Sequence, residues 1–194
     1  AYKFGLEFWN SKKGRAYISK LKNKTIFADL KLLDIPNTCK STIKSIKDLK
    51  NINYLTVHIS GGLKMLKAVK SVSGKIKILG VTTLTSLDNN DLKKIGYNKN
   101  LKQIVIKLAK LAKLTKLDGI VCSPYEVNYL KKICKGMEII TPGIRLKGDN
   151  YQDQKRVTSP KKAFHNGATG IVIGRSITKG NIKKNLKNLI SHLS

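Results

Sequence analysis

Short apolar runs alternate along the chain with longer stretches in which apolar residues recur every three or four positions. The first pattern reads as buried strand and the second as amphipathic helix. Strands are predicted over residues 2–6, 25–31, 54–59, 75–83, 119–122, 138–141 and 170–173. Between them, helices are predicted over 8–23 (apolar anchors Trp9, Ile18, Leu21), 41–50 (Ile43, Ile46, Leu49) and from Ser60-Gly61-Gly62 through Val69. Others follow at 88–95, 101–114 (Ile104, Val105, Leu108, Leu111), from Ser123-Pro124 onward, and at 160–166. Pro124 suits a first helical position, where its missing N–H leaves no bond unmade. A polar loop spans 144–156, and Ile182, Leu186, Leu189 and Leu193 line one stripe of a C-terminal helix.

Strand followed by helix, seven times over, predicts a parallel sheet with crossover helices. The strands are continuously apolar, as strands buried on both faces are. A doubly wound sheet and a (β/α)8 TIM barrel both fit. Polar and Gly-rich residues gather at the carboxyl ends of the strands: Lys31 to Asp34, Ser60 to Gly62, Thr83 to Ser86, Ser123, Pro142 to Arg145 and Gly174 to Ser176. Barrel enzymes build their active sites at that end. Both architectures, α/β in class, stay open on the residues alone, and the placement agrees with the barrel. Seven strands are one short of it, and 194 residues fall below the usual ~250. The first strand is expected to precede Ala1, so residues 1–194 read as a single, N-terminally incomplete barrel domain.

Composition adds constraints. A hydrophobic fraction of 41% supports a packed core. The net charge of +28 raises nucleic-acid binding as a function. Against it, the lysines are spread along the whole chain, only four basic residues are Arg, and aromatics for base stacking are few. A Lys-rich solvated exterior is the favoured reading. No apolar run approaches the ~20 residues of a membrane span, and no signal peptide is visible. A cytoplasmic protein with neither membrane nor nucleic-acid partner is expected. Cys39, Cys122 and Cys134 are odd in number and lack metal-ligand spacing, which fits reduced thiols. His58, His165 and His192 are scattered, so no His-based metal site is predicted.

Two constellations remain. In Thr25–Lys31, side-chain alternation turns Asp29 and Lys31 to one face and Leu30 to the other. Charge within an apolar strand is costly unless paired, so the two form either a functional pair or a solvated strand edge. Asp34 follows in the turn, and Pro36 stops the strand. Lys3 occupies a similar place in its own apolar strand, pointing inward or into solvent. The second constellation is Pro142-Gly143-Ile144-Arg145 with Gly174-Arg175-Ser176, at the two strand ends where barrels often hold a phosphate. There glycine admits an oxyanion to the backbone and Arg supplies a forked donor.

Phe27 to Thr38, an Asp-x-Lys-x-x-Asp core followed by Ile35-Pro36-Asn37-Thr38, resembles the bacterial type of the orotidine 5′-phosphate decarboxylase family. Tyr2 to Glu7, Val57 to Gly62, Val81 to Ser86, Asp118 to Ser123, Thr141 to Arg145, Gly148-Asp149 with Asp153-Gln154, and Val172 to Arg175 match further family segments, in family order. The resemblance implies decarboxylation of orotidine 5′-phosphate to UMP and CO2, the last step of UMP biosynthesis, without metal or organic cofactor. It implies a Lys-Asp-Lys-Asp network of Lys3, Asp29, Lys31 and Asp34, with Asp34 given by the second subunit of a homodimer. Lys31 would donate the proton to C6. Asp29 would sit near the substrate carboxylate, and Lys3 would orient Asp29 and contact the ribose.

It further implies that Thr38 reaches the ribose and phosphate region across the dimer interface. Thr85 would bind the pyrimidine, Pro142 would be among the substrate-binding residues, and Gln154 would bridge base and phosphate from a lid over 144–156. Arg145, Gly174 and Arg175 would hold the phosphate. The family's ribose-binding Asp, upstream of the residue matching Lys3, has no counterpart here, so residues 1–194 alone are expected not to be a competent enzyme, and a fusion to another pyrimidine-pathway domain stays open. A metal-dependent sugar-phosphate lyase of the same superfamily, such as 3-keto-gulonate 6-phosphate decarboxylase or hexulose-phosphate synthase, is the nearest alternative. A basic nucleic-acid-binding protein is the more distant one.

Overall fold

The computed structural model describes residues 1–146 and 157–193. The elements alternate as β1 (Tyr2–Gly5), α1 (Leu6–Asn10), α2 (Gly14–Lys20), β2 (Ile26–Leu32), α3 (Pro36–Ile46), β3 (Ile52–His58), α4 (Gly62–Ser73) and β4 (Lys77–Val81). They continue as α5 (Asn89–Lys94), α6 (Leu101–Leu114), β5 (Gly119–Val121), α7 (Val127–Ile133), β6 (Glu138–Thr141), α8 (Pro160–His165), β7 (Gly170–Ile171), α9 (Arg175–Thr178) and α10 (Ile182–Leu193). The chain is thus α/β, with seven strands among the described residues. No helix among them is long and apolar enough to cross a membrane. No described lysine is buried, and all three cysteines are free and buried.

Two compact units divide the chain. The first holds Ala1–Val81 and Leu111–Gly119. In it β1, β2, β3 and β4 pair in parallel, in chain order. Ile26, Ala28, Leu55, Val57, Ile78 and Leu79 are fully or almost fully buried, as are Ile43 and Ile46 of α3 and Met65, Leu66 and Val69 of α4. Each such Val, Leu, Ile or Met side chain contributes about 1.5–3 kcal/mol by leaving water, so the helix stripes hold the sheet. Gly74, at φ +59° and ψ −120°, ends α4 in a backbone conformation that favours glycine. Asp118 accepts from the Ile78 amide at 2.8 Å and pairs with Lys70 at 2.6 Å, which ties the segment before β5 to β4 and α4.

The second unit holds Thr82–Lys110 and Ile120–Ser194. Its β6 and β7 run parallel, Ile140 beside Gly170 and Thr141 beside Ile171. Asp88 caps α5 through a capping box: its carboxylate accepts from the Asn90 and Asp91 amides, and Asp91 accepts from the Asp88 amide.

Three helical expectations need correction. The segment 8–23 forms two helices because Gly14 sits against the Phe8 carbonyl, where a Cβ has no room, and the chain turns at 11–13. The helix expected at 41–50 starts earlier, at Pro36, which serves as a first-turn residue as well as a strand stop. The helix expected to begin at Pro124 begins at Val127. Ser123 to Glu126 instead close a local turn, with the Glu126 amide donating to the Ser123 carbonyl at 2.9 Å and the Glu126 carboxylate accepting from the Ser123 amide at 3.0 Å. The stripe of α10 is not buried: Ile182, Leu186 and Leu193 are exposed and Leu189 is half-buried.

Candidate active site

Across β1 to β4 the register sets side chains in rows. Lys3, Phe27, Tyr54 and Lys77 stand at one level. The Phe27 and Tyr54 rings lie 5.9 Å apart, and the Lys77 ammonium sits 5.4 Å from the centre of the Tyr54 ring. One step towards the carboxyl end, Gly5 pairs with Asp29. A Cβ on Gly5 would lie 3.9 Å from the Lys3 ammonium, ordinary van der Waals contact. Lys3 Nζ donates to Asp29 Oδ2 at 2.8 Å.

Beyond Asp29 the ladder breaks. Ala28 pairs with Leu55 and Leu32 with Val57, so Asp29, Leu30 and Lys31 together face the single residue Thr56. This is a bulge, and bulges re-aim side chains. Lys31 takes φ +48°, a left-handed backbone that costs a non-glycine residue about 1–2 kcal/mol. Its Nζ lies 2.9 Å from the same Asp29 Oδ2 that Lys3 holds. Asp29 and Lys31 do meet, then, but through a bulge and not through the regular alternation expected. One carboxylate oxygen carries two ammonium groups. Asp29 Oδ1 accepts from the Thr56 hydroxyl at 3.0 Å, and that hydroxyl oxygen accepts from the Lys31 amide at 2.9 Å.

Electrostatics follow from burial. The Asp29 side chain is 11% exposed, against 34% for Lys3 and 32% for Lys31. Burial pushes the Asp29 carboxyl up, but the adjoining Lys3 and Lys31 outweigh it and hold the group below its ordinary value. His58, half-buried at the end of β3, is pushed down by burial and then by the positive charge of Lys31, against a smaller opposing pull from Asp29. The face therefore presents two cations, one anion and an imidazole biased towards its neutral form.

Asp34 and Thr38 stand apart from this network. Both are exposed, and Asp34 makes no ion pair among the described residues. Its carboxylate accepts from the Ile35 amide at 2.7 Å. Leu33 and Ile35 on either side are 57% and 66% exposed, an apolar rim around an acid.

In the second unit, Thr85 lies half-buried in the turn after β4. Pro142 and Arg145 follow β6. Gly143 takes φ +76°, and Thr158 clamps the turn: its amide donates to the Gly143 carbonyl and its carbonyl accepts from the Arg145 amide, both at 3.0 Å. The Arg145 guanidinium donates to the Ile144 carbonyl at 2.9 Å. Gly174 precedes α9, whose first residue is the exposed Arg175. A Cβ on Gly174 would meet nothing within 4 Å, so its backbone faces open space. The Val172 amide donates to the Thr141 carbonyl at 2.9 Å, so the loops carrying the two arginines leave from adjacent strand ends. Gln154 lies outside the described residues, as does most of the expected lid, 147–156.

Thr56 escaped the sequence reading. Threonine is an ordinary strand residue, and the only available signal was a polar side chain in the middle of Tyr54-Leu55-Thr56-Val57.

Residues 1–186 match the model of the "Orotidine 5'-phosphate decarboxylase / HUMPS family". The chain is 50% identical over 182 residues to the orotidine 5'-phosphate decarboxylase of Wolbachia pipientis subsp. Culex pipiens, covering 91% of this chain and 79% of that one. With the enzyme of Wolbachia sp. subsp. Brugia malayi it shares 48% over 193 residues, 97% of this chain and 84% of the relative. Among solved structures, the orotidine 5'-phosphate decarboxylase of Lactobacillus acidophilus superposes with a TM-score of 0.84 at 34% identity, covering 99% of this chain and 86% of that one. A paired Lys-Asp-Lys face at a strand end, two Gly/Arg turns at neighbouring strand ends and relatives of this likeness lead to one conclusion: the chain belongs to the orotidine 5'-phosphate decarboxylase / HUMPS family.

Proposed function

We propose that this protein decarboxylates orotidine 5′-phosphate to UMP and CO2, as a cytoplasmic homodimer of one decarboxylase domain per chain. The proposed architecture is the (β/α)8 barrel, of which β1–β7 supply seven strands. The observation that carries the reading is the single Asp29 oxygen shared by the Lys3 and Lys31 ammonium groups. The family model also spans sugar-phosphate enzymes, whereas the relatives at 48–50% identity are named for the pyrimidine reaction.

Decarboxylation breaks the bond between C6 and the carboxylate carbon and leaves the electron pair on C6. Lys31 faces that developing charge. Its ammonium lowers the energy of the carbanion through a fixed, already paid orientation, then transfers its proton to C6 and is recharged from solvent. Asp29 holds Lys31 in place and stands near the departing carboxylate. Lys3 fixes Asp29 and reaches the ribose. Thr85 contacts the pyrimidine, Pro142 belongs to the substrate site, and Arg145, Gly174 and Arg175 take the phosphate, a grip remote from C6 whose binding energy is available to the transition state. Asp34 and Thr38 act in the neighbouring subunit's site. The exposed Leu33 and Ile35 around Asp34 support a subunit contact there.

The test is loss of orotidine absorbance on incubating the full natural polypeptide with orotidine 5′-phosphate in EDTA. Turnover in EDTA supports the reading. No turnover of this substrate, with metal-dependent release of CO2 from 3-keto-gulonate 6-phosphate, overturns it in favour of the sugar-phosphate branch.

A further inference from the structure

We propose that Thr56 is a positioning residue for the decarboxylation, acting on Lys31 from both ends through one hydroxyl; this rests on the function proposed above. A hydroxyl has one proton to donate. The Thr56 oxygen receives the Lys31 amide at 2.9 Å, so its own proton is directed to Asp29 Oδ1, 3.0 Å away. Thr56 is completely buried, which leaves no water to substitute for either bond.

Two constraints follow. On the backbone side, the Lys31 amide sits in a bulge where the strand ladder offers it no carbonyl, since three residues of β2 face one of β3. The Thr56 hydroxyl stands in for the missing ladder partner and stabilises Lys31 at φ +48°. On the side-chain side, the hydroxyl occupies Asp29 Oδ1, so both ammonium groups converge on Oδ2. Donation to Oδ1 also stabilises the charged carboxylate. One residue thus sets the direction of the Lys31 backbone and the oxygen on which its side chain rests.

Thr56→Val keeps the branched shape and removes both bonds. Placement of a catalytic group depends on offsets of an ångström or less, and an unsatisfied hydrogen bond to a charged partner weakens turnover by about 10- to 100-fold. The expected result is a kcat loss in that range with KM within threefold of wild type, since the phosphate grip is untouched. Thr56→Ser restores the hydroxyl and should recover kcat to within a few-fold. The acid limb of the kcat profile should move to higher pH in Thr56→Val, because Asp29 loses a donor, and return in Thr56→Ser. Should the valine variant fail to fold, Thr56→Ala is read in the same way.

A second readout needs no substrate: amide exchange at Lys31 should be at least tenfold faster in Thr56→Val than in Thr56→Ser, with the global melting temperature as control. A kcat within threefold of wild type in Thr56→Val, a loss confined to KM, or a serine variant as impaired as valine would each overturn the assignment. If wild type itself does not turn over orotidine 5′-phosphate, the functional reading fails while the exchange comparison still decides whether Thr56 holds Lys31.

Discussion

Lys31 combines a proposed catalytic role with an unfavourable backbone, and two substitutions separate them. Lys31→Ala and Lys31→Gly both delete the ammonium group and its 2.9 Å contact with Asp29, so that loss cancels between them. They differ in backbone. At φ +48° a residue with a Cβ costs about 1–2 kcal/mol, whereas glycine adopts the conformation freely but loses ~0.5–1 kcal/mol more chain entropy on folding. The difference between the middles of these ranges leaves the glycine variant more stable by about 0.75 kcal/mol. For a chain of 194 residues that corresponds to a melting temperature higher by roughly 1.5–3 °C. Thermal unfolding followed by circular dichroism, on both variants in the same buffer, measures it. Both variants should show turnover of orotidine 5′-phosphate below a thousandth of wild type, on the order expected for loss of a proton donor that also carries transition-state charge stabilisation. An alanine variant as stable as the glycine variant, or more so, refutes the claim that the fold holds this backbone left-handed. Near-normal turnover in either variant refutes the role given to the Lys31 ammonium.

Asp29→Asn removes the anion shared by two ammonium groups; turnover should fall at least 100-fold, while stability drops by only about 1–3 kcal/mol because both lysines keep access to water. Arg175→Ala should lower kcat/KM for orotidine 5′-phosphate at least 100-fold by loss of a forked phosphate donor, and an unchanged value removes Arg175 from the phosphate site. Stability should fall in two stages on acidification: His58 and Asp29 both have folded values below their ordinary 6.5 and 3.8, so the unfolded chain binds more protons in each window. The His58 contribution is present above pH 6.5 and is lost below it. The Asp29 contribution is present above pH 3.8 and is lost as pH falls past that value. Denaturant midpoints of wild type and His58→Gln between pH 7 and 5 test the first stage, which should vanish in the variant. Mixing Lys31→Ala with Asp34→Asn chains should restore roughly a quarter of wild-type activity if sites are shared across a two-fold dimer, since half the dimers are mixed and one of their two sites has both native residues; no recovery on mixing argues that Asp34 serves its own chain or none.

The sequence made the strands and the charged positions legible for a simple reason. Buried parallel strands need apolar runs, and charges inside such runs, as at Asp29 and Lys31, stand out against them. The Gly-Arg turns after β6 and β7 were legible because glycine and arginine have few other reasons to meet at strand ends. What stayed hidden depends on contacts that hydrophobic periodicity does not encode, some local and some between segments distant in the chain. The break between α1 and α2 arises where Gly14 meets the Phe8 carbonyl, and the late start of α7 arises from the Ser123 to Glu126 turn; neither alters hydrophobic periodicity. The bulge at Asp29 to Lys31 is the instructive case. Alternation already assigns these two side chains to one face, so the pattern is compatible with a regular strand, and the residue that takes positive φ is a lysine, which has no preference for it. The irregularity becomes visible only when β3 is laid alongside and Thr56 is found taking the Lys31 amide. A regular strand would have given that amide a backbone carbonyl and left the Thr56 hydroxyl to find another partner. The left-handed turn of Lys31, about 1–2 kcal/mol uphill, therefore has a structural return: it releases one backbone bond so that a single hydroxyl can fix both the amide of Lys31 and the carboxylate on which its ammonium rests.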